Sequence, residues 1–416
     1  MKISRDNGNL TTNVVLPASK SISNRLLILQ FRYGQSLKIR NLSDADDTLL
    51  LSSLLDLVRQ HLQKEAAGLL RIDTRNAGTV MRFMVPLLAA TRGHFLLTGS
   101  DRMKQRPVGA LVDALVEMGA SVEYLENIGF PPLLIKGRTI LGHRVKVDAA
   151  VSSQFLTALL LMAPALPEGL TVELYGAPVS SPYVKMTTGL LEELGVQVIT
   201  QEDSIRVFPK PSIRTEVTVE ADWSSASFWY CMLSMASSGE IVFPGLKKSG
   251  LQGDQEIGNM FNSLGIRTIE EQSNLRIVRE GQSTGNFFAD FTDYPDLAMP
   301  VIMACAATGT PGTFVGLERL RLKESDRVTA MTSGLKKAGI TLSEEYPGTW
   351  RLSGHLTDPS ALFIDDYNDH RIAMTFACLA MKGFAVHIPN PDCVNKSYPR
   401  FWKELQNAGF ECRFSC

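Results

Sequence analysis

Residues 17–25 read PASKSISNR, which sets Lys20 and Arg25 among Ser19, Ser21 and Ser23 directly ahead of the apolar run LLIL. Serine hydroxyls before an apolar run can satisfy the orphan N–H groups of a helix start. The start of a helix is itself weakly positive, so two cations beside those donors suit a phosphate or a carboxylate. A solvated basic helix start explains this one segment equally well. The case for a site comes from recurrence.

Asn76, Ala77, Gly78 and Thr79, followed by Arg82, form a small-residue turn into a second apolar run. Gly78 lets a ligand approach the backbone closely, and Thr79 is a candidate cap. Arg102, Lys104 and Arg106 crowd three cations ahead of VGALVDALVEMG. Ser152, Ser153 and Gln154 offer uncharged donors suited to phosphate oxygens and sugar-like hydroxyls. Ser180, Ser181, Pro182 and Tyr183 repeat the theme, with Pro182 suited to the first helical position. For each of these, plain capping or a solvated loop remains an alternative.

Two later segments are harder to explain so simply. Arg321, Lys323 and Arg327 alternate with Glu324 and Asp326 before an amphipathic stretch, and Asp366, Asp369, His370 and Arg371 precede the apolar IAMTFACLAM. Charged groups abutting a buried helix call for a function. Lys396, in CVNKSYP, adds a cation at another expected helix start.

The elements that must carry these residues repeat. Polar patches begin near Ser19, Asn76, Ser152, Ser224, Asp296 and Asn368, each leading into an apolar helix, a strand, an amphipathic helix and closing strands. The second helices end alike, in LVEMGASV, LEELGVQV, FNSLGIRT, LKKAGITL and LQNAGFEC, where glycine ends the helix and a strand follows. Six units of roughly 70 residues account for the chain. No unit can cover both faces of its own sheet, so units pack together with helices inward. Three units per domain, a domain change near Asp222 and helix starts directed at a cleft are the expected arrangement.

The bulk properties narrow the function class. The 416 residues carry 42 basic and 43 acidic side chains and a formal net charge of −1, which provides no global field for nucleic acid or an anionic membrane. Six scattered cysteines lack zinc-like or redox spacing and read as core residues of a reducing compartment, with Cys412 and Cys416 alternatively exposed. The polar start MKISRDNGNL and the lack of a long apolar stretch point to a cytoplasmic protein without a membrane span. The six histidines show no ligand pairing, and no Walker loop or dinucleotide fingerprint occurs, so neither metal nor cofactor is expected.

Taken in order, LPASKSISNR, NAGTVMR, RMKQRP, SSQFLTALL, SSPYVKMT, YPDLAM, RLKESDR, YNDHRIAM and CVNKSYP closely resemble the EPSP synthase (3-phosphoshikimate 1-carboxyvinyltransferase) family of enolpyruvyl transferases. The resemblance implies an α/β (α+β) fold, a two-domain inside-out α/β barrel-like architecture of six βαβαββ repeats, three per domain. It implies one domain from residues 1–19 and 223–416, another from 20–222, and an active site in the interdomain cleft. It further implies transfer of the enolpyruvyl group of phosphoenolpyruvate to the 5-hydroxyl of shikimate 3-phosphate by a monomer.

On the same basis, shikimate 3-phosphate would be held by Lys20, Ser21, Arg25, Ser152, Ser153, Gln154, Ser180, Tyr183, Asp296 and Lys323. Phosphoenolpyruvate would meet Lys20, Gly78, Arg106, Gln154, Arg327, Arg371 and Lys396. Each substrate carries a phosphate and a carboxylate, and arginine's planar fork of donors suits both groups. Asp296 is expected to take the hydroxyl proton and Glu324 to protonate carbon, with Lys20 a further participant.

The chain departs from the family pattern at Arg75, where glycine is usual, at Arg319, and in a short stretch between Asp47 and Asn76. Gly78 is retained, so competition by glyphosate is expected, with Arg75 able to weaken it. A related enolpyruvyl transferase acting on UDP-N-acetylglucosamine is the nearest alternative, but it typically has a cysteine in the loop matching residues 102–107. A non-catalytic anion-binding relative and an RNA-terminal-phosphate enzyme fit less well.

Overall fold

Gly119, Gly195, Gly265, Gly339 and Gly409 all adopt positive φ, between 80° and 95°, just past the second helix of a repeat. A side chain there would strain the turn, so glycine ends each helix and sends the chain into the following strand. A computed structural model describes the chain apart from residues 7, 35–36, 65–67, 149–151, 177–181, 214, 282–284, 359–360 and 415–416. Residues 1–19, 44–46 and 220–416 form one unit; residues 20–43 and 47–219 form the other.

One sheet topology recurs five times. Strand Leu69–Asp73 runs parallel to Gly93–Thr98, which pairs antiparallel with Leu133–Gly137, and Ser121–Tyr124 closes the edge. The sheets beginning with Arg144–Asp148, Phe287–Asp290, Ala361–Phe363 and Asn9–Asn13 have the same order of a parallel pair followed by antiparallel partners. In four of the five sheets the apolar helix bridges the parallel pair, as a crossover connection requires; Asn9–Asn13 and Ser238–Pro244 are the exception.

The repeat whose helix is Lys20–Tyr33 differs. Among the described residues, Lys38–Arg40 pairs only with Glu216–Thr218, in parallel. Its second helix, Asp46–Leu62, is followed at Leu69 by the first strand of the next repeat, leaving no room for a hairpin. The short stretch noted in the sequence is therefore the missing strand pair of one repeat.

Each unit is built around its first helices. In the 220–416 unit, helix His370–Ala377 is buried along its whole length. Trp223–Met235 and Ala298–Thr308 are buried apart from Ser224 and Thr308 respectively. Such buried helices belong inside: the Ala298 helix packs against both of the others, with the sheets outside. In the other unit, Gly78–Ala89 and Ser153–Met162 do the same, joined by Lys20–Tyr33 through its buried residues 22–29.

Two strands pair far from their chain neighbours. Asn9–Asn13 precedes the Lys20 helix but lies parallel to Ser238–Pro244, and Lys2–Ser4 sits between Ala385–His387 and Glu411–Arg413. Residues 17–19 and 220–222 pair at an Ala18–Ala221 bridge, where Ser19 N–H donates to Glu220 O and Asp222 N–H to Pro17 O, both at 2.9 Å.

The Cys231, Cys305 and Cys378 thiols are buried and free; Cys393 and Cys412 are half-buried, and Cys416 lies outside the described residues. Among the described residues, no helix is long and apolar enough to cross a membrane.

Candidate active site

The 220–416 unit gathers seven of the singled-out residues into one charge network. Arg327 opens its helix behind the cap Asp326, whose carboxylate accepts from Thr329 N–H. Its guanidinium, 2% exposed, meets Asp369 Oδ2 through Nε at 2.8 Å and Asp369 Oδ1 through Nη2 at 3.2 Å. Nη2 also donates to Glu324 Oε2 at 2.9 Å and Nη1 to Asp296 Oδ1 at 3.3 Å. Burial works against the charged guanidinium, but the Asp369, Glu324 and Asp296 carboxylates outweigh it and hold Arg327 protonated.

Asp296 sits in the short 3-10 turn Pro295–Leu297, at the start of the buried Ala298 helix. Arg371 embraces it twice, donating from Nη1 to the backbone oxygen at 2.9 Å and facing Oδ2 with Nη2 at 3.4 Å. Lys323 Nζ lies 3.7 Å from Oδ1. Burial lowers the Lys323 ammonium below its ordinary range, with Asp296 pulling the other way. Lys396 Nζ stands 3.9 Å from Glu324 Oε1. Two carboxylates, Asp296 and Glu324, are thus held by four cations, which equips this set for proton transfer beside an anion.

Beneath it, Asp369 is fully buried and accepts from Arg327, from Ser325 Oγ at 2.9 Å and from Arg371 N–H at 3.0 Å. It caps the His370 helix and fixes two arginines at once. The sequence marked Asp369 only as one acid in a charged run; its helix-capping position was the available signal. Lys396 ends the turn Pro391–Lys396 instead of starting a helix, since the next helix begins at Phe401.

The other unit collects donors at helix starts. Lys20 begins its helix and pairs with the buried Asp47 at 3.2 Å. Ser152 caps the next by accepting from Gln154 N–H, with Ser153 and Gln154 in the first turn. Arg25 is buried against Thr187 Oγ1 at 2.9 Å, Ser21 O at 2.7 Å, Tyr183 O at 3.1 Å and Thr157 Oγ1 at 3.4 Å. Burial pulls its pKa down to about 10, which leaves it a cation at neutral pH. Arg25 therefore braces three helices, and Ser21 and Tyr183 meet it through their carbonyls. Ser180 lies outside the described residues. Pro182 occupies the first position of its helix.

Gly78 opens its helix without a side-chain cap, so Thr79 does not serve as one. The buried Arg106 guanidinium lies directly over it: a Cβ on residue 78 would stand 2.5 Å from Nη2 and 2.8 Å from Cζ. The clash falls on the far end of a flexible side chain, so the backbone survives and the guanidinium moves. Gly78→Ala is expected to raise the KM for an anionic substrate seated there by about tenfold, the worth of roughly 1.4 kcal/mol of binding, with a smaller change in kcat. Steady-state kinetics checks this, and an unchanged KM would count against Arg106 as a ligand. Three residues earlier, exposed Arg75 adopts φ 50°, the left-handed region glycine prefers, and its N–H is held by Asp73 Oδ1 at 2.8 Å. Arg319 falls in the 3-10 turn Glu318–Leu322.

Comparison with known proteins identifies the family. The family model for EPSP synthase (3-phosphoshikimate 1-carboxyvinyltransferase) matches residues 5–405. A protein of Bacteroides fragilis (strain YCH46) named 3-phosphoshikimate 1-carboxyvinyltransferase is 38% identical over 403 residues, covering 96% of both chains. One of the same name from Colwellia psychrerythraea is 35% identical, covering 96% of this chain and 97% of its own. The solved EPSP synthase of Acinetobacter baumannii shares the fold, with a TM-score of 0.74 at 21% identity over 99% of this chain and 98% of that one.

Proposed function

Because the chain belongs to the EPSP synthase (3-phosphoshikimate 1-carboxyvinyltransferase) family, we propose that it transfers the enolpyruvyl group of phosphoenolpyruvate to the 5-hydroxyl of shikimate 3-phosphate. The products are 5-enolpyruvylshikimate 3-phosphate and phosphate, on the route to chorismate and the aromatic amino acids. The observation that carries the residue assignment is the pair Asp296 and Glu324, each set against its own cations and joined through Arg327.

In the first step the hydroxyl oxygen bonds to the carbon that bears the phosphate, while the hydroxyl proton goes to Asp296. The methylene carbon takes a proton from Glu324 and becomes a methyl group, giving a tetrahedral ketal. In the second step the methyl group returns a proton to Glu324, the carbon–oxygen bond to phosphate breaks, and Asp296 passes the hydroxyl proton to the phosphate as it leaves, so both carboxyl groups end as they began. Glu324 must be protonated before the first step. It lies against Arg327 and Lys396 in the free protein, and an incoming phosphate and carboxylate compete for those same cations. Once its counter-charges are engaged elsewhere, Glu324 is the group placed to take up a proton.

Lys20, Arg106, Arg327, Arg371 and Lys396 would hold the phosphoenolpyruvate anion, with Gly78 admitting it and Gln154 adding an amide. Ser21, Arg25, Ser152, Ser153, Gln154, Ser180, Tyr183 and Lys323 would seat shikimate 3-phosphate. Several cations are needed to hold two polyanions together against their repulsion. Phosphate release assayed with both substrates, and with each alone, tests the reading. Release is expected only with both; release from phosphoenolpyruvate alone, or none at all, would reject it.

A further inference from the structure

Strands Ala361–Phe363 and Ala385–His387 run parallel and end side by side, so the two segments that leave them start out as neighbours. One leads through residues 364–369 to the His370 helix, which carries Arg371; the other leads through residues 388–390 to the turn Pro391–Lys396. Arg371 and Lys396 stand against Asp296 and Glu324, the two carboxylates of the proposed chemistry. The spacing of these two cations is therefore set by how the two segments are joined.

Asp366 joins them. It is 3% exposed, and its carboxyl oxygens serve different segments. Oδ1 accepts from Asn368 N–H at 2.9 Å within its own segment, and Oδ2 accepts from Asn390 N–H at 2.7 Å in the other. The Asp366 backbone oxygen takes Asp369 N–H at 2.8 Å. Asn390 returns a second link, its Nδ2 donating to Asn368 Oδ1 at 2.6 Å. The staple thus reaches Asn390, directly ahead of the Lys396 turn, and Asp369, the cap of the Arg371 helix.

The turn inside the staple resists its own shape. Tyr367 and Asn368 both take the left-handed backbone, at φ 52° and 53°, without being glycine. Residues with side chains visit that region at a cost, and seldom in succession. Both are exposed, so hydrogen bonds and not packing hold the conformation. Asp365 Oδ1 accepts from Tyr367 N–H at 3.0 Å, and Asp366 secures Asn368. A strained turn kept in place by a buried carboxyl, next to the proposed site, points to a role in that site.

We propose that Asp366 is a positioning residue for phosphoenolpyruvate binding: it fixes Arg371 and Lys396 relative to each other by stapling the segments that carry them. It acts through the backbone of both segments and not by touching the substrate. An anion held by two cations needs both at the right spacing, and a misplacement of about 1 Å is enough to weaken the site severely. The inference rests on the proposed function, in which both cations meet phosphoenolpyruvate.

The test is Asp366→Asn, which keeps the size but has a single oxygen acceptor, so one of the two N–H groups loses its partner. The KM for phosphoenolpyruvate is expected to rise roughly five- to twentyfold. Affinity for shikimate 3-phosphate alone, whose proposed ligands lie mostly in residues 20–219, should stay within about twofold. A residue that only stabilised the fold would lower the melting temperature and kcat and leave the KM for phosphoenolpyruvate unmoved; that result overturns the proposal, as does an equal loss for both substrates. Asn390→Ala gives a second reading that does not depend on the asparagine variant folding. It removes the link to Asn368 and keeps the backbone bond to Asp366, so a rise of about two- to fourfold is expected, again for phosphoenolpyruvate alone. An unchanged KM there also overturns the proposal. Failure of the wild type to turn over would instead reject the functional reading beneath it.

Discussion

Glu324→Gln is expected to lower turnover by about 10²–10⁴-fold, the usual contribution of a positioned acid or base, while leaving phosphoenolpyruvate binding largely intact. Glutamine preserves the volume and an acceptor for Arg327 Nη2, which Glu324 engages at 2.9 Å, but it has no proton to give to carbon. It also removes a negative charge from beside Arg327 and Lys396, so binding of an anion should hold or tighten. Steady-state turnover paired with a direct binding measurement separates the two quantities. Near wild-type turnover would remove Glu324 from the chemistry.

Arg327→Met is expected to be severe for a different reason. The guanidinium is almost completely buried and balances Asp369, Glu324 and Asp296 together. Its removal leaves Asp369 charged and enclosed, and breaking a buried pair from one side costs about 3–5 kcal/mol. Denaturant unfolding should show a loss of that size, and activity should be abolished because Asp296 and Glu324 lose their common anchor. A loss below about 1 kcal/mol, typical of an exposed pair, would mean that the network does not hold this unit together.

Much of the local architecture was legible because it is written in short segments. Glycine after a leucine-rich helix announced five turns, and Gly119, Gly195, Gly265, Gly339 and Gly409 all take the left-handed backbone those turns require. The serine, aspartate and asparagine patches marked where buried helices begin, since an apolar helix start still needs its N–H groups satisfied. Where the cap is a backbone turn, as before Gly78, the composition misled and Thr79 was credited with a role it does not have.

Long-range pairing was not legible from local pattern. Nothing in NLTTN states that it lies beside SGEIVFP, more than two hundred positions later; the family resemblance supplied that the first strand belongs with the later residues. The supporting acids were hidden for a similar reason. Asp47, Asp254 and Asp369 look like ordinary helix-start or turn residues, and only the fold sets them against Lys20, Ser224 and Arg327. Cations in short motifs are visible one by one, whereas the carboxylates that aim them come from distant segments.

The central claim is that the methylene carbon of phosphoenolpyruvate gains and then loses a proton at Glu324. Turnover in deuterium oxide tests it most directly, with the vinyl group of the product examined by mass spectrometry and NMR. A transient methyl group that takes its third hydrogen from an exchangeable carboxyl should leave deuterium on the vinyl carbon. A product formed at the normal rate with no deuterium there would mean that carbon is never protonated, and the addition–elimination account would be wrong.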